Sequence, residues 1–92
     1  MPIVVVERGN DKGTEIKVED GNVYAFGRDP KIAAITLSDT LASRRHFQIE
    51  AAGGSYTLTD CNSTNGTFLN DEPVTSSPLN IGDKIQVGDT IL

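Results

Sequence analysis

The sequence has no tryptophan, and aromatic residues make up only 5% of its 92 positions. A core therefore has to come from Ile, Val, Leu and the three Phe packed in thin layers, as sheets pack, rather than from bulky indole anchors. There is a single cysteine, Cys61. A disulfide-stapled secreted mini-domain carries an even set at close spacing, so the lone thiol points to a reducing, cytoplasmic compartment. Basic residues are scarce as well: eight Lys and Arg stand against thirteen Asp and Glu, a net charge of −5. That balance argues against wrapping nucleic acid or coating an anionic membrane, and any anion site has to be local. Long hydrophobic runs are missing, since Met1-Pro2-Ile3-Val4-Val5-Val6 falls far short of a signal sequence or a membrane span. The acceptor sequons Asn62-Ser63-Thr64 and Asn65-Gly66-Thr67 carry meaning only in a secreted chain.

A chain of this length supports one core and hence one domain, residues 1–92. Helical periodicity is absent over any stretch longer than about ten residues, whereas short β-branched runs recur between turn signals at roughly 8–12-residue spacing. This is the pattern of an all-β sandwich or barrel. Strands are expected at Ile3–Val6, Thr14–Val18, Val23–Phe26, Ile35–Leu37, His46–Ala51, Tyr56–Thr59, Thr67–Leu69, Glu72–Val74, Lys84–Val87 and Thr90–Leu92. Between them stand the turn formers Gly9–Gly13, Asp20-Gly21, Gly53-Gly54, Gly82-Asp83 and Gly88-Asp89. The connection after Gly27-Arg28-Asp29-Pro30 is long and carries only one short strand, which marks it as functional. The last strand reads as short, so the domain is expected to be cut at that strand.

Three clusters gather Gly, Ser, Thr, Asn and Arg where packing does not call for them: Gly27-Arg28, Ser43-Arg44-Arg45-His46 and Asn62-Ser63-Thr64-Asn65-Gly66-Thr67. Arg28, Arg44 and Arg45 each sit beside a turn or hydroxyl residue able to help hold an oxyanion. Phosphate suits that chemistry. A phosphothreonine brings about −1.5 to −2 charge and three acceptor oxygens, which an Arg fork, Ser and Thr hydroxyls and a loop N–H can satisfy together. Blander readings stand beside this one: a lone loop Arg is usually a solvated charge, and Asn65-Gly66 alone signals a type I′ hairpin. A serine hydrolase lacks its G-x-S-x-G elbow, and Ser43 and His46, three apart on an extended segment, point to opposite faces. His46 reads as hydrogen-bonded scaffolding. One His and one Cys cannot supply a zinc site, no calcium-loop spacing occurs, and no Gly-Lys-Ser/Thr follows the glycines, so neither metal nor nucleotide cofactor is expected.

In order and spacing the clusters resemble the forkhead-associated (FHA) domain, whose signature runs from Gly-Arg through Ser-x-x-His to Ser-x-Asn-Gly. Here these read Gly27-Arg28, Ser43-Arg44-Arg45-His46 and Ser63-Thr64-Asn65-Gly66. The flanks Ile35-Thr36-Leu37, Thr67-Phe68-Leu69-Asn70 and Leu79-x-x-Gly82-Asp83 also look like the family, so nearly the whole chain is covered. The resemblance implies an eleven-stranded, SMAD-like β-sandwich of two antiparallel-rich sheets with its recognition loops at one end. It implies a non-enzymatic module of signal transduction that binds a phosphothreonine-containing protein, a Ser/Thr kinase or its substrate. By the same resemblance Arg28 contacts the phosphate or the adjacent peptide backbone, Ser43, Arg44 and Thr64 contact the phosphate, and Asn65 holds the peptide main chain. Gly27, His46, Ser63 and Gly66 then shape the loops, with Asn62 as a further support. Selectivity beyond the phosphothreonine is expected from Thr40–Ala42 and Asn70–Glu72. The family often carries Asn-Gly where this chain has Asn70-Asp71, so a looser turn is expected there. The competing reading is phosphate-independent association or dimerisation through the same sandwich.

Overall fold

Period-two alternation translates directly into burial in the computed structural model of the chain, which describes residues 3–9, 11–31, 33, 35–39 and 41–92. Its strands are β1 (Ile3–Val5), β2 (Glu15–Lys17), β3 (Val23–Gly27), β4 (Ile35–Thr36), β5 (Phe47–Ala52), β6 (Ser55–Asp60), β7 (Thr67–Leu69), β8 (Glu72–Val74), β9 (Ser76–Leu79), β10 (Ile85–Val87) and β11 (Thr90–Ile91). Phe47, Ile49 and Ala51 on β5 are at most 1% exposed while Glu50 and Ala52 face solvent, as successive side chains of a strand must point to opposite faces. No helix occurs among the described residues, and so none is long and apolar enough to cross a membrane.

One sheet runs β4-β3-β5-β6-β9, antiparallel except where β4 lies parallel to β3 with Phe26 opposite Ile35. The other runs β11-β10-β7-β8. The β1-β2 hairpin joins this second sheet through an antiparallel bridge between Arg8 and Ile91, where Glu7 N–H donates to Ile91 O at 2.7 Å and Ile91 N–H to Arg8 O at 3.0 Å. Between the layers lie Phe26, Leu37, Phe47, Ile49, Leu58, Ile85 and Val87, each 3% exposed or less. Each such side chain stabilises the fold by about 1.5–3 kcal/mol relative to exposure. Phe26 and Phe47 stack with ring centroids 4.6 Å apart at the ends of β3 and β5 that the 28–46 connection joins.

Two strand and turn expectations change here, and the hairpin alternative for Asn65-Gly66 falls away. β9, Ser-Ser-Pro-Leu, has no alternation of β-formers to betray it; it is an edge strand on β6, the position where proline's missing N–H costs a sheet least. Asn70-Asp71 is a tight two-residue turn rather than a looser one, with φ of 49° and 71° and Leu69 directly opposite Glu72. Positive φ at both residues is the type I′ geometry that Asn and Asp tolerate. The Asn70 side chain reinforces it by donating to Asp83 Oδ1 and accepting from Lys84 N–H, both at 3.0 Å. Asn65-Gly66 is not a hairpin turn, because only Gly66 has positive φ and the flanking strands β6 and β7 belong to different sheets. Met1, Pro2, Asn10 of the first turn cluster and Thr40 of the expected selectivity segment lie outside the described residues.

Candidate functional site

Gly27 ends β3 in a buried position, and its missing side chain is what allows a second segment to cross it. A Cβ there would lie 2.1 Å from the Arg44 carbonyl oxygen and 2.8 Å from Arg45 Cα. Through this contact the 43–46 backbone docks on the end of β3. Arg28 N–H donates to Ser43 O at 3.0 Å, Asp29 N–H to Arg44 O at 3.1 Å and His46 N–H to Phe26 O at 2.8 Å. The Arg28 side chain joins in, since its Nε donates to Ala42 O at 3.1 Å. That bond orients the guanidinium plane of an otherwise exposed residue.

His46 is fully buried and bonds through both ring nitrogens. Nδ1 accepts from Ser43 N–H at 2.9 Å and Nε2 donates to Gly66 O at 2.8 Å. A backbone N–H can only donate and a carbonyl only accept, so these partners select the Nε2–H tautomer. The ring thus ties the 43–46 segment to the 62–66 loop. The extended geometry expected for Ser43–His46 is not found: the segment bends, which brings the imidazole back to the Ser43 amide. The Ser43 hydroxyl instead accepts from Thr64 N–H at 3.0 Å, keeping its own proton for another acceptor.

The 60–67 loop is built around Asp60. Its carboxylate accepts from the Ser63 hydroxyl, from Ser63 N–H at 3.1 Å and from the Thr67 hydroxyl at 2.7 Å. Ser63 Oγ in turn accepts from Gly66 N–H at 3.1 Å, and Asn62 takes the left-handed conformation that lets the chain turn. With the loop so braced, Asn65 Nδ2 reaches Leu41 O at 2.8 Å. Arg28, Ser43, Thr64 and Asn65 are therefore linked, directly or through one residue, to the single segment 41–46, from which Arg44 projects into solvent. Among the described residues the one ion pair is Lys84–Glu7 at 3.9 Å, so no carboxylate neutralises the guanidinium groups of Arg28 and Arg44. No group of His, Cys, Asp and Glu among those residues could hold a metal. A cavity of about 470 Å³ lies elsewhere, lined by Val4, Val18, Ile49, Tyr56 and Leu79, and none of the loop residues contributes to it. The loops make an exposed polar surface suited to an anionic ligand laid across it.

Sequence reasoning passed over Asp60 and Asp39. Asp60 opens an Asp-x-x-Ser turn and was open to recognition from that pattern. Asp39 was not, because its partners Asp89 and Thr90 lie fifty residues further along the chain. Burial alone would raise both carboxyls. For Asp39 this is outweighed by bonds from Leu41 N–H, the Thr90 hydroxyl and Asp89 N–H, and for Asp60 by those from Ser63 and Thr67, so both titrate below the usual value. A depressed carboxyl stabilises the fold above its unfolded pKa of about 3.9, and this contribution is lost as pH falls through the lower folded values. Thermal melts of the wild type should thus be level from pH 7 to 5 as far as these groups are concerned and drop below about pH 4. In the double variant Asp39→Asn/Asp60→Asn that acid drop should be shallower, and an equally steep drop would refute the assignment.

The FHA domain family model matches residues 24–88. The chain is 41% identical over 86 residues to the oxoglutarate dehydrogenase inhibitor of Corynebacterium jeikeium, covering 94% of this chain and 58% of that protein. It spans little more than half the length of the curated relatives it matches. Among solved structures, the FHA domain of the CT664 protein from Chlamydia trachomatis superposes with a TM-score of 0.93 at 30% identity, covering 97% of this chain and 90% of that one. A chain from a structural and functional analysis of phosphothreonine-dependent FHA domain interactions superposes with a TM-score of 0.84 at 34% identity, covering 98% and 92%.

Proposed function

The chain belongs to the FHA-domain family, and from that premise we propose that it is a phosphothreonine-dependent protein-interaction module that reads its ligand with the 27–28, 41–46 and 62–66 loops. The observation that carries this reading is the stitching of Arg28, Ser43, Thr64 and Asn65 onto one segment beside two guanidinium groups that no protein carboxylate neutralises. In this reading Arg28 and Arg44 take the phosphate charge and Ser43 gives its spare proton to a phosphate oxygen. Thr64 adds a hydroxyl contact, and Asn65 offers its amide group to the peptide main chain while anchored to Leu41 O. Gly27, His46, Ser63 and Gly66 hold the loops in shape.

The partner is a protein that carries phosphothreonine, either a Ser/Thr kinase or one of its substrates; the likeness to a structure of phosphothreonine-dependent FHA interactions supports this. A short peptide buries less than a standard interface, so affinity should be of the order of micromolar, about −8 kcal/mol. A pocket for the γ-methyl group favours phosphothreonine over phosphoserine by roughly 10–200-fold.

The test is a titration with peptides identical except for phosphothreonine, phosphoserine or threonine, followed by ¹H–¹⁵N shift mapping. Shifts at Arg28, Ser43, Arg44 and Asn65 with phosphothreonine alone are expected, and they should weaken in high salt and as the phosphate takes a proton near about pH 6. Equal binding of the unphosphorylated peptide would favour phosphate-independent association instead.

A further inference from the structure

Asp39 is 6% exposed, and its carboxylate lies between the recognition segment and the turn joining β10 to β11. Its Oδ1 accepts from Leu41 N–H at 2.9 Å, while Oδ2 accepts from Asp89 N–H at 2.9 Å and from the fully buried Thr90 hydroxyl at 2.8 Å. The Asp39 carbonyl accepts from Ala42 N–H at 3.0 Å. Side chain and backbone of one residue thus hold two successive amides. Gly88, at φ 55°, makes room for this contact: a Cβ there would stand 2.7 Å from Leu41 Cβ and 2.9 Å from Asp39 Oδ1.

Of the two held amides, that of Ala42 shares its peptide unit with the Leu41 carbonyl, which meets a ligand-facing side chain. In a trans peptide the N–H and C=O point in opposite directions. Fixing Ala42 N–H on the Asp39 carbonyl therefore aims Leu41 O outward, where it accepts from Asn65 Nδ2 at 2.8 Å. The next carbonyl, that of Ala42, accepts from Arg28 Nε at 3.1 Å, and its own peptide unit is held by Ser43 N–H on His46 Nδ1 rather than by Asp39. We infer that Asp39 is a positioning residue of the recognition surface, clamping the 41–42 backbone to the β10–β11 turn so that Leu41 O orients Asn65 toward the bound phosphopeptide. This rests on the phosphothreonine-binding reading above. The clamp makes the turn at Gly88-Asp89, remote in sequence from every signature residue, part of what sets the geometry of binding.

Asp39→Asn separates this role from general support. Three donors converge on the two carboxylate oxygens, and an amide has one oxygen; if that oxygen serves Asp89 and Thr90, the NH₂ group faces Leu41 N–H and the clamp opens on the recognition side. Measured on the whole chain by calorimetry with a phosphothreonine peptide, the variant should bind about tenfold more weakly, a change of about 1.4 kcal/mol. Its ¹H–¹⁵N spectrum should stay dispersed while the Asn65 side-chain amide signals move toward those of a solvated Asn. Adding Asp39→Asn to Asn65→Ala should cost less than adding it to the wild type, since part of its effect runs through Asn65. A core variant destabilised to a similar degree, Ile49→Val, should keep wild-type affinity. Should Asp39→Asn fail to fold, Gly88→Ala presses on the same contact with the charge intact and should weaken binding in the same way. Wild-type affinity in a folded Asp39→Asn or Gly88→Ala variant, or full additivity with Asn65→Ala, overturns the inference. A wild type that ignores the phosphopeptide overturns the functional reading itself, and the two failures are distinct.

Discussion

Arg28→Ala is expected to weaken phosphothreonine-peptide binding by roughly 30- to 1,000-fold while leaving the fold intact. Charge-assisted hydrogen bonds contribute about 1.5–3 kcal/mol each when shielded, and an exposed guanidinium facing phosphate makes two of them at about 1–2 kcal/mol each under solvent screening, so the loss should be about 2–4 kcal/mol. Fold stability is affected less. The contacts that dock the 43–46 segment on Arg28 use its backbone N–H, and only the Nε–Ala42 O bond is lost with the side chain. Arg28→Lys should recover only part of the affinity, because an ammonium keeps the charge but can neither present a planar fork nor be oriented through Nε. Calorimetric titration of the three proteins with one peptide, repeated at low and high salt, decides the matter. The salt dependence should be shallower in Arg28→Ala, as exposed charge attraction is screened. Affinity unchanged in Arg28→Ala would place the phosphate away from this residue.

Gly27→Ala should be the more damaging change for folding, though it adds only one methyl group. The backbone φ at Gly27 is not in the left-handed region, so conformational freedom is not the reason for glycine here. Space is. An added Cβ 2.1 Å from Arg44 O and 2.7 Å from its carbonyl carbon falls well inside the contact distance of about 3.5–4.0 Å between carbon atoms, and what it meets is backbone rather than a flexible side-chain end. Relief requires the 44–46 segment to lift off β3. That would break the Arg28 N–H to Ser43 O and Asp29 N–H to Arg44 O bonds and disturb the imidazole wedged below. Overpacking of this kind costs about 1–3 kcal/mol, and the lost backbone bonds add roughly 1 kcal/mol each. A total of about 3–5 kcal/mol is a large part of the roughly 5–14 kcal/mol expected for a domain of this size. Urea denaturation should show it. A loss below about 1 kcal/mol would mean that the segment yields easily and that Gly27 serves another purpose. Phosphopeptide affinity should fall in the same variant, since Ser43 and Arg44 ride on the displaced segment.

Much of this molecule is legible in its sequence. The alternation of Phe47, Ile49 and Ala51 set one face of β5 into the core, and the turn formers placed nearly every hairpin. The three Gly/Ser/Asn/Arg clusters showed where unusual backbone and polar chemistry had been concentrated. β9 escaped because Ser76-Ser77-Pro78-Leu79 has weak intrinsic strand preference and owes its conformation to β6 beside it. The tightness of the Asn70-Asp71 turn is not legible locally because it depends on Asp83 and Lys84, which brace the Asn70 amide from more than ten positions away.

By itself the sequence determined the all-β class and marked the loops where Gly, Ser, Thr, Asn and Arg gather, because strand periodicity, turn chemistry and charge are local properties of the chain. Only the tertiary structure decided how those residues are held. That Arg28 is aimed by Ala42 O, that His46 bonds Ser43 N–H at one ring nitrogen and Gly66 O at the other, and that Asp39 ties the 41–42 segment to Thr90 are pairings between groups up to about fifty positions apart. Such pairings arise when two sheets close over one core, and the loops at their ends must then satisfy each other's buried polar groups.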